Sequence, residues 1–210
     1  TRIRLSSIEP NEITDELIRM LGRGLCRHLH IPLQSGDDAI LCSMHRAYSS
    51  DFYRERVESA ARTMPDIAIG ADVMVGFPGE GEKEFQNTYD LIEELPITHL
   101  HVFSYSRRPG TAAAEMKMQV AEQIKKERNE ALRALGFKKN LVFRERLKGK
   151  TLKVVLERQA DGQGMCSGLT DNYVRVLVSG VKKDDFGREI NIRMCDIHEN
   201  GLVGILSATD

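Results

Sequence analysis

The sequence predicts an α/β fold: a partial (β/α) barrel that supplies four βα units, followed by a small all-β barrel. Three observations predict it. Short apolar runs alternate with helical periodicity in residues 1–116, one long helical stretch follows, and strand-like segments crowd residues 148–210. The 210 residues, 41% hydrophobic and 29% charged, have the composition of an ordinary globular protein.

Four apolar segments before residue 117 are typical of strands, and a helical pattern follows the first three. They read IRLSSI, LHIPL, IAIGADVMVGF and THLHVFSYS, at residues 3–8, 29–33, 67–77 and 98–106. We expect Asp37 to cap the helix after the second strand. Strands separated by helices predict parallel pairing with right-handed crossovers, and four strands are too few to close a barrel of eight.

The pattern changes after a helix predicted over residues 119–147. Strand-like segments, joined by short turns, then follow one another closely, which favours a small barrel of the oligonucleotide-binding kind. The segments are TLKVVLER, YVRVLVSG, EINIRMCDI and LVGILSA. The predicted domains are therefore residues 1–116, a connecting helix over 117–147, and residues 148–210.

Charge is distributed unevenly along the chain, although the net charge is only -1. Residues 117–153, called the basic block below, carry 12 Lys and Arg against 4 Asp and Glu. Residues 1–116 carry 12 against 18, and residues 154–210 carry 6 against 9. The block is either a solvated helix face or a surface that contacts a phosphate backbone. No apolar run reaches the length of a membrane span, so a membrane partner is not expected.

The four cysteines give no local support for a metal or cluster site. Cys26, Cys42, Cys166 and Cys195 are widely separated, and none forms a Cys-x-x-Cys pair. Two His-x-His pairs, His28/His30 and His99/His101, place their rings on one strand face at a spacing that could ligate metal. Both pairs precede the strand ends, so we interpret them as packed imidazoles and predict no metal site.

Polar and turn-forming residues follow every predicted strand of the first domain. In parallel sheets and barrels, ligands bind at these carboxyl ends. Any one of the four segments alone is typical of a turn or helix cap, whereas four at one rim favour a ligand site. The absence of GxGxxG and GxxxxGK[ST] argues against ordinary dinucleotide or triphosphate binding. The segments are Ser6–Pro10, Gln34–Gly36, Gly76–Glu80 and Tyr105–Thr111.

Several motifs carry a resemblance to a known family. RLSSIEP, HIPLQSGDDAILCSMHRAY, DVMVGFPGE and HVFSYSRRPGTAA, in this order, resemble the radical S-adenosylmethionine (SAM) domain of tRNA methylthiotransferases. GLTDNYVRV is similar to the signature of their TRAM domain. The forms SIEP and CRHLHIPLQSG resemble the branch that acts on N6-threonylcarbamoyladenosine beside the tRNA anticodon.

The resemblance implies a radical mechanism in the parent enzyme. A 4Fe-4S cluster donates an electron to SAM, which yields a 5′-deoxyadenosyl radical that activates carbon 2 of the modified adenine. A second cluster handles the sulfur, and a second SAM supplies the methyl group. The implied partner is the tRNA anticodon stem-loop and the implied location is the cytoplasm, while the sulfur donor stays open.

The resemblance also implies a set of cofactor-binding residues. Polar side chains near the first two strand ends match positions that hold the ribose or methionyl groups of SAM. Backbone after the third strand matches the stretch that lies against adenine, where glycine permits close approach. An arginine matches a partner for the cofactor carboxylate. The set is Ser7, Gln34, Ser35, Arg46, Val75 and Gly76.

The chain departs from the family in what it lacks. The family's Cys-x-x-x-Cys-x-x-Cys loop belongs to the first barrel strand, whereas this sequence is expected to start at the third. We therefore predict that these 210 residues alone neither hold a cluster nor react. Two alternatives stay open: an RNA-binding module of TRAM type on an α/β scaffold, and a radical SAM enzyme with another substrate.

Overall fold

The computed structural model describes residues 2–159, 165–199 and 201–207. The chain forms two compact units, one of Ile3–Lys139 and one of Asn140–Asp210 with Thr1–Arg2. They are called the sheet unit and the barrel unit below. In the described part of the chain, no helix is long and apolar enough to cross a membrane.

The sheet unit alternates strands and helices, as the sequence predicts. Its helices begin at caps that the sequence encodes: Asp37 Oδ1 accepts hydrogen bonds from the backbone N–H groups of Ala39 (2.9 Å) and Ile40 (3.1 Å), which confirms the predicted cap. The predicted long helix is also confirmed. The elements are α1 Asp15–Met20, β1 His28–His30, α2 Asp38–Ser43, α3 Ser50–Thr63, β2 Ala68–Val75, α4 Glu82–Glu94, β3 His99–Ser104, α5 Ala112–Glu115 and α6 Glu122–Glu145.

The three strands form one parallel sheet in the order β1-β2-β3. The predicted first strand, residues 3–8, does not form a continuous strand; it makes two isolated parallel bridges, Ile3 to Leu25 and Ser7 to His30. Leu5 and Ile8 pack against the core, whereas Ile3 and Ser7 are exposed. Only part of the segment is therefore buried, and its pairing stays local.

One face of the sheet is covered by helices and holds the core. Alternate residues of β2, Ile69, Ala71 and Val73, are fully buried in it. Tyr53 of α3 is also fully buried and donates its hydroxyl to the carbonyl of Ile31 at 2.9 Å, so the one polar atom of that side chain is satisfied. The opposite face carries the intervening residues of β2 and is described with the site.

The barrel unit contains a closed five-stranded barrel in the order β4-β5-β6-β8-β7. The predicted small barrel is thus confirmed, together with its four predicted strands. The sequence missed β5 because its CSGLT segment is short and contains only one large apolar side chain, that of Leu169. The strands are β4 Thr151–Gln159, β5 Cys166–Thr170, β6 Arg175–Ser179, β7 Glu189–His198 and β8 Gly201–Leu206.

Candidate functional site

The loop after β2 is the most constrained part of the predicted rim. Gly76 adopts a φ of 74°, and its backbone N–H donates to Oε1 of Glu80 at 2.9 Å. Glu80 is only 4% exposed. Burial raises the pKa of this carboxyl group, while the N–H of Gly76 and the guanidinium of Arg128 act in the opposite direction. The Glu80 carboxylate thus fixes the loop that begins at Gly76.

Two cations from α6 complete this arrangement. Arg128 Nη1 donates to Glu80 Oε1 at 2.7 Å and to the Glu80 carbonyl at 2.9 Å. Lys125 Nζ donates to the carbonyl of Tyr105, at the end of β3, at 3.2 Å. The carbon chain of Lys125 lies where a side chain on Gly76 would be placed, so only glycine fits there. The sequence assigned both cations to a charged surface, and nothing local distinguishes them from their neighbours.

The segment after β1 is held mainly by its own backbone. Gln34, at a φ of 65°, donates its N–H to the carbonyl of Asp72 at 2.8 Å and accepts from the N–H of Met74 at 2.9 Å. Ser35 is fully buried; its Oγ lies 3.3 Å from Oγ1 of Thr88 and accepts from the N–H of Asp37. Its hydroxyl therefore already joins α4 to the start of α2.

The remaining predicted cofactor residues each contact a different partner. Arg46 Nη1 donates to Oε1 of Glu9 at 2.9 Å, and it lines a groove of about 610 Å³ that none of the other five predicted residues lines. Ser7 is exposed and bridges to His30. Val75 is buried, and its carbonyl accepts from the N–H of Tyr105 at 2.8 Å. The role of the six residues in binding stays a prediction.

A second cavity lies beside the loop after β2. Its volume is about 390 Å³. The backbone N–H of Gly79 donates to the carbonyl of Met118 at 2.8 Å, which joins this loop to the segment before α6. The lining residues are Ala39, Ile40, Ser43, Pro78, Gly79, Glu84, Met116, Lys117 and Met118.

The face of the sheet away from the core carries a row of titratable side chains. Asp72 Oδ2 lies 3.0 Å from Nε2 of His30, and Asp72 Oδ1 lies 3.0 Å from Nδ1 of His101. The sequence placed the two histidines of each pair on one face of their strand but missed Asp72. The sequence contains the pattern that would have identified Asp72, because this residue alternates with the apolar residues of β2 and so points away from the core.

The described residues do not fit an iron–sulfur cluster. Cys26 and Cys166 are buried, Cys42 and Cys195 are exposed, and none of these four described cysteines forms a disulfide bond. Within residues 2–159, 165–199 and 201–207, no group of three or more His, Cys, Asp or Glu side chains could hold a metal ion. An iron–sulfur cluster would need ligands other than these.

Comparisons with known proteins agree with the motifs. Residues 2–92 match the model of the radical SAM superfamily. The threonylcarbamoyladenosine tRNA methylthiotransferase of Bacillus subtilis is 39% identical over 92% of this chain and 44% of its own length. The chain resembles the tRNA methylthiotransferases. The Pelobacter propionicus tRNA-2-methylthio-N(6)-dimethylallyladenosine synthase is 38% identical over 98% of this chain and 47% of its own length.

A solved structure has a fold similar to that of this chain. Coproporphyrinogen III oxidase from Escherichia coli, described as a radical SAM enzyme, superposes with a TM-score of 0.54 at 16% identity. The match covers 80% of this chain and 45% of the oxidase. It supports the fold alone. The chain spans about half the length of the curated relatives that it matches.

Proposed function

We propose that this chain is part of a radical SAM tRNA methylthiotransferase that adds a methylthio group to carbon 2 of N6-threonylcarbamoyladenosine beside the anticodon. The observation that carries the proposal is the identity of 37–39% to three enzymes named for threonylcarbamoyladenosine, over 86–96% of the chain. The parallel sheet followed by a closed barrel supports it, because the resemblance implies the same order of domains.

In this proposal the two units have different tasks. The rim of the sheet unit binds SAM through the six predicted residues, and the barrel unit acts as the TRAM domain that contacts the tRNA anticodon stem-loop together with the basic block. The 4Fe-4S clusters are held by other parts of the parent protein, since the cysteines of this chain do not fit them. The location that such a tRNA substrate implies is the cytoplasm.

The loop after β2 supports the rim assignment. Its backbone is fixed at Gly76 by Glu80 and Arg128, so its carbonyl and N–H groups hold one orientation. A preformed backbone edge suits a nucleoside, which is bound chiefly through stacking and backbone hydrogen bonds. The Lys125 chain, which covers Gly76, would have to shift for a base to reach that glycine.

The experiment uses the complete protein that contains this chain. It is reconstituted with iron and sulfide without oxygen, given SAM, a reductant and tRNA that carries N6-threonylcarbamoyladenosine, and the tRNA nucleosides are analysed by mass spectrometry. We expect the 2-methylthio derivative. The 210-residue chain, treated identically, should neither form it nor cleave SAM. Cleavage of SAM by the complete protein without any methylthiolated nucleoside would contradict the proposal.

A second substrate is favoured by a specific observation. Two relatives named for dimethylallyladenosine are 38% and 37% identical over 98% and 96% of the chain, almost as similar as the first group. The same reaction should therefore be run with tRNA that carries N6-dimethylallyladenosine. If only this tRNA were methylthiolated, the proposed enzyme class would stand, and N6-dimethylallyladenosine would replace N6-threonylcarbamoyladenosine as the proposed substrate.

A further inference from the structure

The two faces of the parallel sheet differ in chemistry. The helix-covered face is apolar, whereas the other, called the open face below, carries histidines at partnered positions. His30 is in register with Gly70, and Asp72 with His101. Partnered residues of parallel strands point to the same side, so the row His30, Asp72, His101 crosses all three strands. The open-face strand residues are His28, His30, Ala68, Gly70, Asp72, Met74, His99, His101 and Phe103.

Both oxygens of the Asp72 carboxylate are used within this row. Each lies 3.0 Å from a ring nitrogen, one of His30 and one of His101. A carboxylate only accepts, so Nδ1 of His101 carries the proton in this bond. The bond fixes the orientation of the ring and leaves Nε2 of His101 as the second polar atom.

The two histidines of the row are not equivalent. The ring of His30 packs against Gly70, because a Cβ there would lie 2.8 Å from Nδ1 of His30. The side chain of His101 is 74% exposed. Its ring also makes a tilted contact with the ring of Phe103, at 5.7 Å between centroids. His101 is thus the member of the row that can meet a ligand.

The surroundings of the row favour a strongly polar ligand. Asp72 is the one carboxylate among the open-face strand residues just named, and it is shared by two imidazoles. Burial lowers the pKa of His28 to about 4, and Arg4, His99 and His30 act in the same direction, so this imidazole stays neutral. The open face therefore offers imidazole nitrogens that can donate or accept hydrogen bonds.

We propose that His101, oriented by Asp72, determines substrate specificity by binding a polar, carboxylate-bearing N6 substituent of the adenine. This inference rests on the proposed function, and it concerns the substrate group rather than the reaction. A threonylcarbamoyl group offers ureido N–H donors to a neutral Nε2 and a carboxylate to a protonated one. A dimethylallyl group offers neither, so it gains nothing from this imidazole.

The test measures binding, not activity, on the 210-residue chain. The probes are the nucleosides N6-threonylcarbamoyladenosine and N6-dimethylallyladenosine, titrated while the histidine ring resonances are followed by NMR. We expect the resonances of His101 to move with the first nucleoside, which should bind about tenfold more tightly, as one charge-assisted hydrogen bond implies. The variant His101→Gln should reduce that preference to less than about twofold.

Two further variants separate position from folding. Asp72→Asn leaves His101 in place but removes the charge that orients it, so the preference should also fall. His198→Gln changes an exposed imidazole of the barrel unit and should keep the wild-type preference. Equal binding of both nucleosides by the wild-type chain, or an unchanged preference in His101→Gln, would overturn the inference. Because no catalysis is involved, failure of the methylthiolation assay leaves this result intact.

Discussion

The two units bury their strands in different ways. In the barrel unit, each of the five strands pairs with two neighbours, and the sheet closes on itself. In the sheet unit, three parallel strands have one helix-covered face and one open face that bears histidines. Closure satisfies backbone groups and encloses a core within one unit, whereas an open parallel sheet leaves polar groups in reach of ligands. The contrast places the candidate chemistry in the sheet unit.

The largest effect that we expect comes from breaking the ion pair that fixes the loop after β2. Arg128→Met leaves the Glu80 carboxylate buried without its cation, which should lower the free energy of unfolding of the sheet unit by about 3–5 kcal/mol. Hydrogen exchange followed by mass spectrometry, with peptides from β2 and from β6 compared, measures each unit separately.

The control for this substitution lies on the same helix. Arg133 is exposed, so Arg133→Met should change the exchange of β2 by less than about 0.5 kcal/mol. Protection of β6 should stay at the wild-type level in both variants. If Arg128→Met destabilised no more than Arg133→Met, the buried pair would not hold the loop.

The next effect is a pH dependence confined to the sheet unit. The pKa of His28 is lowered from 6.5 to about 4, chiefly by burial, so the unfolded chain binds this proton more tightly than the folded one. The contribution of neutral His28 to the stability of the folded state is therefore complete above pH 6.5, and it is lost as the pH falls through 4. The loss should be about 2–3 kcal/mol.

A substitution isolates the contribution of His28. In His28→Leu, the stability of the sheet unit, measured by hydrogen exchange of β2 between pH 4 and 7, should vary with pH less steeply than in the wild type. His198→Gln, which changes an exposed imidazole, should keep the wild-type slope. An identical slope in wild type and His28→Leu would show that another group carries the pH dependence.

A substitution at a close contact between two strands should destabilise the barrel unit alone. A side chain on Gly201 would collide with the backbone carbonyl of Arg175, which cannot move without disturbing β6. Gly201→Ala should therefore lower the stability of the barrel unit by about 2 kcal/mol, seen as faster exchange of β6 and unchanged exchange of β2. Gly24→Ala, at a position with open space around it, is the neutral comparison.

The parts of the fold that the sequence predicted are those specified locally. Asp37 caps α2 because an Asn- or Asp-type acceptor lies directly before the helix, and β2 was evident from its long apolar run. The segment at residues 3–8 looked equally strand-like, yet it forms only bridges, with Leu5 and Ile8 packed against the core and Ile3 exposed. Whether such a segment pairs depends on neighbours elsewhere in the chain.

The site was less predictable because its contacts join distant residues. The row at Asp72 needs the register of three strands whose partnered residues lie 40 residues apart between β1 and β2 and 29 apart between β2 and β3, which no local pattern specifies. The basic block shows the same limit. Of its twelve cations, Lys125, Arg128 and Arg144 are buried; Arg144 donates to the carbonyls of His198 and Gly201. These three were counted as surface charge, although their positive charge is directed inward.

The remaining exposed cations of the basic block give the smallest effect and the most direct test of what this block contacts. Lys138 and Arg146 are both exposed. If they contact phosphates, Lys138→Gln with Arg146→Gln should weaken binding of the chain to tRNA several-fold. The slope of log affinity against log salt concentration should fall by about 1 for each lost contact. The measurement is a fluorescence anisotropy titration at several salt concentrations.

A matched pair outside the block decides whether position or total charge matters. Arg23→Gln with Lys83→Gln removes the same charge from exposed sites of the sheet unit. Long-range attraction would be reduced equally in both double variants, whereas direct phosphate contacts would be lost only in the first. Equal salt slopes for the two double variants would therefore assign the basic block to a solvated helix face and remove it from the proposed tRNA surface.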